Sequence, residues 1–179
     1  MKYKLDPEEE EFDFEGWAFV LFHSSLPGYA FADSLNRLYD YRLQRVDDMV
    51  VDEANWPLYR HEDATRHMLL FLVERPSSAV AAPWEAGDKL LAVKGETAEE
   101  LARYLCADFT GNTEVDDGDL LAKEHAELLT SLLENFTVAT LLDFDTPSAT
   151  RKSQRERLAV KQWCNGLLDY IECNRLDLL

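Results

Sequence analysis

The chain has 179 residues, 46% of them hydrophobic, which fits a single domain large enough to bury its own core. Its 18 Lys and Arg stand against 35 Asp and Glu, and this net charge of −17 argues against nucleic acid and anionic membrane surfaces as partners, because both are bound through basic residues. No apolar run approaches the roughly 18 residues that cross a bilayer, and the first residues, MKYKLDPEEEEFDFE, have no apolar segment typical of a signal peptide.

The first half of the chain predicts strands around a single helix. The apolar run of residues 17–25 is typical of a strand that is buried on both faces. A helix is predicted over residues 28–39, because apolar residues recur there at helical spacing. The run Glu8–Glu11 is expected to be exposed, since like charges repel one another. Further strands are predicted at residues 2–6, 41–46, 56–60 and 68–74.

The second half predicts three helices and two strands. A strand at residues 90–93 precedes a helix that starts at Thr97, and a second helix follows the loop around Asp117. A strand is predicted at residues 136–144, and a long helix at 153–174 carries an apolar stripe. Because the strands cluster as hairpins, the order favours an α+β fold with a mainly antiparallel sheet of about six strands and helices packed on one face. A small α/β fold is the alternative.

Three stretches carry a resemblance to a known family. EFDFEGWAFVLFHSSLPGYAFADSLNRLYDYRLQRVDDMVV and PLYRHEDATRHMLLFLV are similar to the opening strand, turn, helix and strand and to the middle hairpin of the IPExxxVDY family of small bacterial proteins. APWEAGDKLLAVKGE stands where the motif that names the family is expected. Pro83 and Asp88 match its Pro and Asp with one residue fewer between them, and Glu85 matches its Glu only with a shift. The Ile, Val and Tyr of the motif are replaced, by Ala82, Gly87 and Lys89.

The resemblance covers residues 3–145 and implies a compact single domain. It implies no activity, substrate or cofactor, so no catalytic residue is carried over from the family. We therefore expect one domain over residues 1–179, with a family-like core at 3–145 and a C-terminal helix at 151–179. The sequence indicates no cofactor, and it leaves the oligomeric state open.

The candidate interaction residues are a basic cluster and one tryptophan. Residues 1–150 hold 12 Lys and Arg against 31 Asp and Glu, whereas residues 151–179 hold 6 against 4. The cluster is either a solvated helix start or a site for an acidic partner. Trp84 either packs over its loop or anchors a partner's side chain. The basic cluster consists of Arg151, Lys152, Arg155, Arg157 and Lys161.

The segment RHEDATRH holds the candidate metal ligands. Histidine and carboxylate side chains together bind divalent metals, but the spacing is not HExxH, and we expect the segment to form a hairpin turn with solvent-facing histidines. These candidates are His61, Glu62, Asp63 and His67.

Other reactive residues have structural interpretations from the sequence. His23 ends an apolar strand and is expected to be hydrogen-bonded there, and His125 is expected at the boundary of a helix's apolar side. Cys106, Cys164 and Cys173 lack CxxC spacing, which favours reduced thiols and a cytoplasmic location. No nucleotide-binding or nucleophile motif occurs in the sequence.

The sequence is best explained by a non-catalytic protein-interaction or regulatory module with a protein partner. The alternative is an enzyme of unrecognised type that uses His61, His67 or His23 together with carboxylates. Nucleic-acid binding would have to use the basic cluster, against the charge of the whole chain.

Overall fold

The computed structural model describes residues 13–79, 83–109, 120–134, 137–144 and 150–178. Helices and strands alternate irregularly in these residues. The helices are α1 (Gly28–Tyr39), α2 (Ala98–Phe109), α3 (Leu120–Glu134) and α4 (Arg151–Cys173). The strands are β1 (Trp17–His23), β2 (Gln44–Arg45), β3 (Met49–Val51), β4 (Ala54–Trp56), β5 (Leu58–Asp63), β6 (Met68–Glu74), β7 (Lys89–Lys94) and β8 (Val138–Leu141).

The main sheet has six strands in the order β2-β5-β6-β7-β1-β8, and every neighbouring pair is antiparallel. Strands β3 and β4 form a separate two-stranded hairpin. The predicted α+β class and the predicted antiparallel sheet of about six strands are therefore confirmed. No described helix is long and apolar enough to cross a membrane.

The core lies on the sheet face that carries Val20, Leu72 and Leu91, which are opposite one another across β6, β7 and β1. Helix α1 contacts β6, α2 contacts β1, β7 and β8, and α3 contacts α1 and α2. The alternate residues of the same strands, such as Phe19 and Phe71, are buried as well. Continuous burial on both faces explains why these three strands are apolar runs and do not alternate with polar residues.

The contacts of the described residues group into two units. Residues 16–79, 84–109, 120–134 and 137–142 form one unit, which holds the sheet and the first three helices. Residues 13–15, 83, 143–144 and 150–178 form the other, which holds α4. In this second unit the rings of Phe14 and Phe144 lie 5.2 Å apart, and the Lys161 ammonium lies 5.9 Å from the Phe144 ring centroid. The single domain over residues 1–179 stays a prediction.

Two of the described elements differ from the sequence-based expectations, and two expectations fall outside the described residues. The predicted strand at residues 2–6 and the run Glu8–Glu11 lie outside the described residues. The segment at 41–46 forms only the two-residue strand β2. The hairpin predicted in RHEDATRH is present, but its turn is limited to residues 64–67, because β5 continues through Asp63 and includes His61 and Glu62. Pairing with the apolar strand β6 extends β5 over these polar residues.

Candidate functional site

The first half of α4, residues 151–163, is basic and contains no buried residue, and we call it the basic half of α4. It contains five Lys and Arg and one Glu, a net charge of +4. No residue in it is buried, whereas Cys164, Leu167, Leu168 and Ile171 in the second half are. Arg151, Lys152 and Arg155 are exposed, and Arg157 and Lys161 are partly buried.

The start of α4 is well defined despite its unfavourable charges. Thr150 caps the helix by accepting a hydrogen bond from the Ser153 amide at 3.1 Å, and the Ser153 hydroxyl accepts one from the Thr150 amide at 3.3 Å. The first turn contains no acidic residue. Because the N-terminus of a helix carries a partial positive charge, Arg151 and Lys152 stand where basic groups destabilise it.

A second group of charged residues lies at the end of the sheet where β1 and β6 finish and β7 begins. Lys89 is directly opposite Phe22 on one side and Glu74 on the other. Its ammonium is 0% exposed and donates to the carbonyls of Ser24, at 3.2 Å, and Leu26. The Glu74 carboxylate lies 3.6 Å from the ammonium. Burial lowers the pKa of Lys89, and the charge of Glu74 opposes this effect.

Glu74 also lies at the N-terminus of α1. Helix α1 has no side-chain cap and no acidic residue in its first turn. A Cβ atom on Gly28 would lie 2.9 Å from Glu74 Oε2, so the glycine leaves room for this carboxylate. Because the helix N-terminus attracts negative charge, Glu74 stabilises both α1 and the Lys89 ammonium. The Lys89–Glu74 pair therefore holds β1, β6, β7 and α1 together.

His23 and Asp88 form a pair next to it, at the ends of β1 and β7. His23 Nδ1 lies 2.9 Å from Asp88 Oδ2, and the same oxygen accepts a hydrogen bond from the Glu85 amide at 3.1 Å. The side chain of Asp88 is 7% exposed and that of His23 is 45% exposed. A carboxylate is an acceptor, so Nδ1 carries a proton and Nε2 is the ring nitrogen available for other chemistry. His23 thus is hydrogen-bonded at a strand end.

Trp84 belongs to the loop between β6 and β7. Its ring is 6% exposed, and its carbonyl accepts a hydrogen bond from Arg75 Nη1. Arg75 Nη2 also donates to the Ala79 carbonyl at 3.0 Å, and the Gly87 amide donates to the Arg75 carbonyl at 3.0 Å. These bonds hold the loop with Trp84 packed inwards, which favours the packing interpretation of this residue. A partner would meet little of its ring in this position.

The structure does not bring the predicted metal candidates together. His61 and Glu62 are consecutive on β5 and face opposite sides of the sheet. Glu62 bonds Arg60 at 3.2 Å, Asp63 accepts from the Arg66 amide, and His67 is exposed. Among the described residues, no group of three or more His, Cys, Asp and Glu could hold a metal ion.

His61 does not face solvent as expected. It is 9% exposed, its ring lies 5.2 Å from that of Tyr41, and its Nδ1 accepts a hydrogen bond from the Arg42 amide at 3.0 Å. Since an acceptor nitrogen has no proton, the bond requires that Nδ1 is unprotonated. Burial also lowers the pKa of His61, because the charged ring is less well solvated inside the protein.

The cysteines lie in apolar surroundings or on the surface. Burial raises the pKa of the Cys106 and Cys164 thiols, which disfavours the reactive thiolate. Cys173 is exposed, and all three thiols are free. The carboxylates Asp116 and Asp117 lie outside the described residues.

Sequence reasoning missed the Lys89–Glu74 and His23–Asp88 pairs. The strand predicted at residues 90–93 leaves out Lys89, and Asp88 enters only as a match to the family motif. Both pairs depend on the register of β7 with β1 and with β6. The one local signal is a lysine at the start of a continuous apolar strand, where it has to be buried.

We expect Lys89→Met to destabilise the protein by about 3–5 kcal/mol, because removing one partner of a buried ion pair leaves Glu74 and two carbonyl groups without their donor. Denaturant unfolding measures this change. The control is Lys94→Met at the other, less buried end of β7, which should cost less than about 1 kcal/mol. Equal losses in both variants would contradict the assigned role of Lys89.

The pKa of His61 sets the sign of a pH effect. Because its pKa is lowered in the folded state, the unfolded chain binds more protons below the ordinary value of about 6.5. As pH is lowered below that value, the free energy of unfolding should therefore decrease. The decrease should be less steep in His61→Asn, whose Oδ1 can still accept a hydrogen bond from the Arg42 amide. The control His67→Asn should keep the native slope. Parallel curves for native and His61→Asn protein would refute this role.

Comparisons of the chain with protein-family models, with curated proteins and with solved structures find no match. The resemblance to the IPExxxVDY family therefore stays a prediction. At the position of the name motif, Glu85 and Asp88 are joined by the hydrogen bond between the Glu85 amide and the Asp88 carboxylate. This contact gives the Asp88 carboxylate a role in the loop that precedes β7.

Proposed function

We propose that the protein is a non-catalytic interaction module and that the basic half of α4 binds an acidic segment of a partner protein. The observation that carries this proposal is the contrast between the halves of α4. The second half buries four side chains, whereas the first half buries none and carries a net charge of +4. Burial therefore gives no reason for the three exposed basic residues at its start, Arg151, Lys152 and Arg155.

The placement of the charges against the helix dipole supports the same function. An acidic residue in the first turn would stabilise α4. Acidic residues are frequent in this chain, which contains 35 Asp and Glu. The first turn instead holds Arg151 and Lys152. Local rules of this kind are broken mainly at functional sites, where another selective benefit outweighs the loss in stability. Binding of an anionic partner provides that benefit.

The chemistry of the surface favours carboxylates of another protein. Three of its five basic residues are arginines, whose planar guanidinium groups bind carboxylates with two parallel hydrogen bonds. Nucleic acid is disfavoured because the rest of the chain carries 31 acids on residues 1–150, which would repel phosphates. We further propose a cytoplasmic location, which the three free cysteines support.

The variant that tests this proposal neutralises the exposed part of the surface through Arg151→Gln, Lys152→Gln and Arg155→Gln. The native chain and the variant are each immobilised on a resin and incubated with a lysate at roughly physiological salt. The captured proteins are identified, and the binding affinities of their acidic segments are then measured with purified peptides. We expect one such peptide to bind the native chain, to lose at least about tenfold in affinity for the variant, and to bind more weakly as salt rises.

A matched control removes three positive charges from exposed positions elsewhere. The control substitutions are Arg37→Gln, Arg66→Gln and Arg103→Gln. Binding by the control variant at native strength would assign the effect to the basic half of α4 and not to net charge. Equal loss in both variants, or no acidic peptide that binds the native chain, would overturn the proposal. Salt-sensitive capture of nucleic acid in place of a peptide would overturn it as well.

An enzyme of unrecognised type is the second candidate, and the His23–Asp88 pair is the observation that favours it. A buried carboxylate that orients one ring nitrogen of an accessible histidine is the arrangement found behind general bases. The side chain of His23 is 45% exposed and Asp88 is 7% exposed. In this alternative, His23 Nε2 accepts a proton from water or from a hydroxyl group of the substrate.

Hydrolysis of the activated ester p-nitrophenyl acetate tests this alternative without knowledge of the substrate. If His23 is a general base, His23→Gln should lose most of the rate, and Asp88→Asn should lower it because the ring is no longer held. His67→Gln is the matched control, since His67 is exposed and has no carboxylate at hydrogen-bond distance among the described residues. A rate in His23→Gln equal to that of the native chain would exclude the role.

A further inference from the structure

The second unit brings residues 13–15 close to the basic half of α4. The Phe14 ring lies 5.2 Å from the Phe144 ring, and the Lys161 ammonium lies 5.9 Å from the centroid of the same Phe144 ring. Phe14, Phe144 and α4 belong to one contact unit. Phe144 therefore connects the chain at residue 14 to a basic residue of α4.

A run of four consecutive glutamates, Glu8–Glu11, comes shortly before Phe14 in the sequence. Its charge of −4 is equal in size and opposite in sign to the net charge of +4 on residues 151–163. Because an extended chain covers at most about 3.3–3.6 Å per residue, Glu11 can reach about 10 Å from Phe14, and Glu8 can reach about 20 Å. The run is therefore tethered within reach of the basic half of α4.

The basic residues of α4 stand at matching distances from Lys161. At about 1.5 Å per residue, Arg157 lies about 6 Å and Arg151 about 15 Å from Lys161 along the helix axis. With about 3.6 residues per turn, the three residues fall within about a third of the helix circumference. A segment that extends from Phe14 towards the start of α4 can therefore meet all three in turn.

We propose that the run Glu8–Glu11 binds the basic half of α4 in its own chain and is displaced when the acidic segment of a partner binds there. This autoinhibitory contact rests on the proposed function, because it regulates the same surface. The opposite charges attract one another over a Debye length of about 8 Å at physiological salt. A short tether gives the run an effective concentration in the millimolar range, so a partner's segment has to compete with it.

The run of a second copy of the chain is the alternative occupant of this surface. It is disfavoured because Phe14 is already held beside Phe144 in the same unit as α4 of its own chain. Binding within one chain costs less loss of translational and rotational freedom than association of two chains. We therefore assign the contact to a single chain.

Zero-length cross-linking of the native chain with a water-soluble carbodiimide tests this contact, since the reagent joins a carboxylate to a lysine amine only where the two meet. We expect the run to be joined to Lys161 or Lys152, at a yield that is unchanged by about tenfold dilution because the contact is intramolecular. Lys123, an exposed lysine of α3, is the reference for random encounters. Equal yields at Lys123, cross-links only between two copies, or no cross-link to α4 would contradict the proposal.

Competition is tested with a decaglutamate peptide as the probe and with a run-neutralised variant, in which Glu8, Glu9, Glu10 and Glu11 are each changed to Gln. We expect the variant to bind the peptide at least about tenfold more tightly than the native chain does, because the run no longer occupies the surface. The matched control removes four negative charges from exposed positions elsewhere, through Glu53→Gln, Glu85→Gln, Glu96→Gln and Glu100→Gln.

The control should change the affinity for decaglutamate by less than about threefold, since screening by salt weakens the effect of distant charges. An equal gain in the control would refute the proposal. So would equal affinities of the native and run-neutralised chains for the peptide, including the absence of binding to both.

Failure of this inference and failure of the proposed function give different results. A partner's acidic peptide that binds the native and run-neutralised chains equally would overturn the autoinhibition and leave the proposed function standing. Cross-links between the run and Lys161, without any acidic partner peptide from the lysate, would overturn the proposed function and leave the contact within the chain standing.

Discussion

The buried ammonium group of Lys89 is the constraint on which the sheet and its first helix depend. When a charged group is buried, the water around it has to be replaced by specific polar partners. For Lys89 these partners are two carbonyls of the β1–α1 connection and the carboxylate of Glu74. The two carbonyls lie between β1 and α1, and the carboxylate lies at the end of β6. The position of Lys89 therefore determines where β1 ends, where α1 begins and which residue of β6 lies beside β7. An apolar residue at this position would leave all three choices to packing alone.

Three pairs of polar side chains in the sheet-containing unit follow the same principle. Lys89–Glu74, His23–Asp88 and His125–Asp108 each join two different segments of the chain, and each has at least one nearly buried partner. They differ in how much of the other partner is exposed. Lys89 is enclosed and is structural, whereas the exposed ring of His23 can meet a solute. Accessibility, and not the type of residue, therefore separates a structural pair from a candidate for chemistry.

The local elements of this fold could be predicted from the sequence, but the pairs could not. Helix α1 has the predicted bounds, and the apolar runs form β1, β6 and β7. Both kinds of element can be predicted because continuous apolar runs and apolar residues at helical spacing are visible in short stretches of sequence. The prediction that His61 stands on a turn was wrong because β6 extends its partner strand, an effect that comes from the neighbouring strand. The pairs around Lys89 and Asp108 depend on register and helix packing, which no local pattern encodes.

The basic half of α4 could be predicted as a cluster of residues, and the structure adds that none of its residues is buried. In most helices the buried stripe runs the whole length, since each turn adds apolar contact. In α4 the buried side chains begin at Cys164, after three turns with none. Those three turns contain all of the basic excess of the C-terminal segment, because residues 164–179 are net negative, on a chain whose remaining charge is strongly negative. Exposed basic residues at the start of a helix, where helix electrostatics disfavour them, are retained most simply through contact with another molecule.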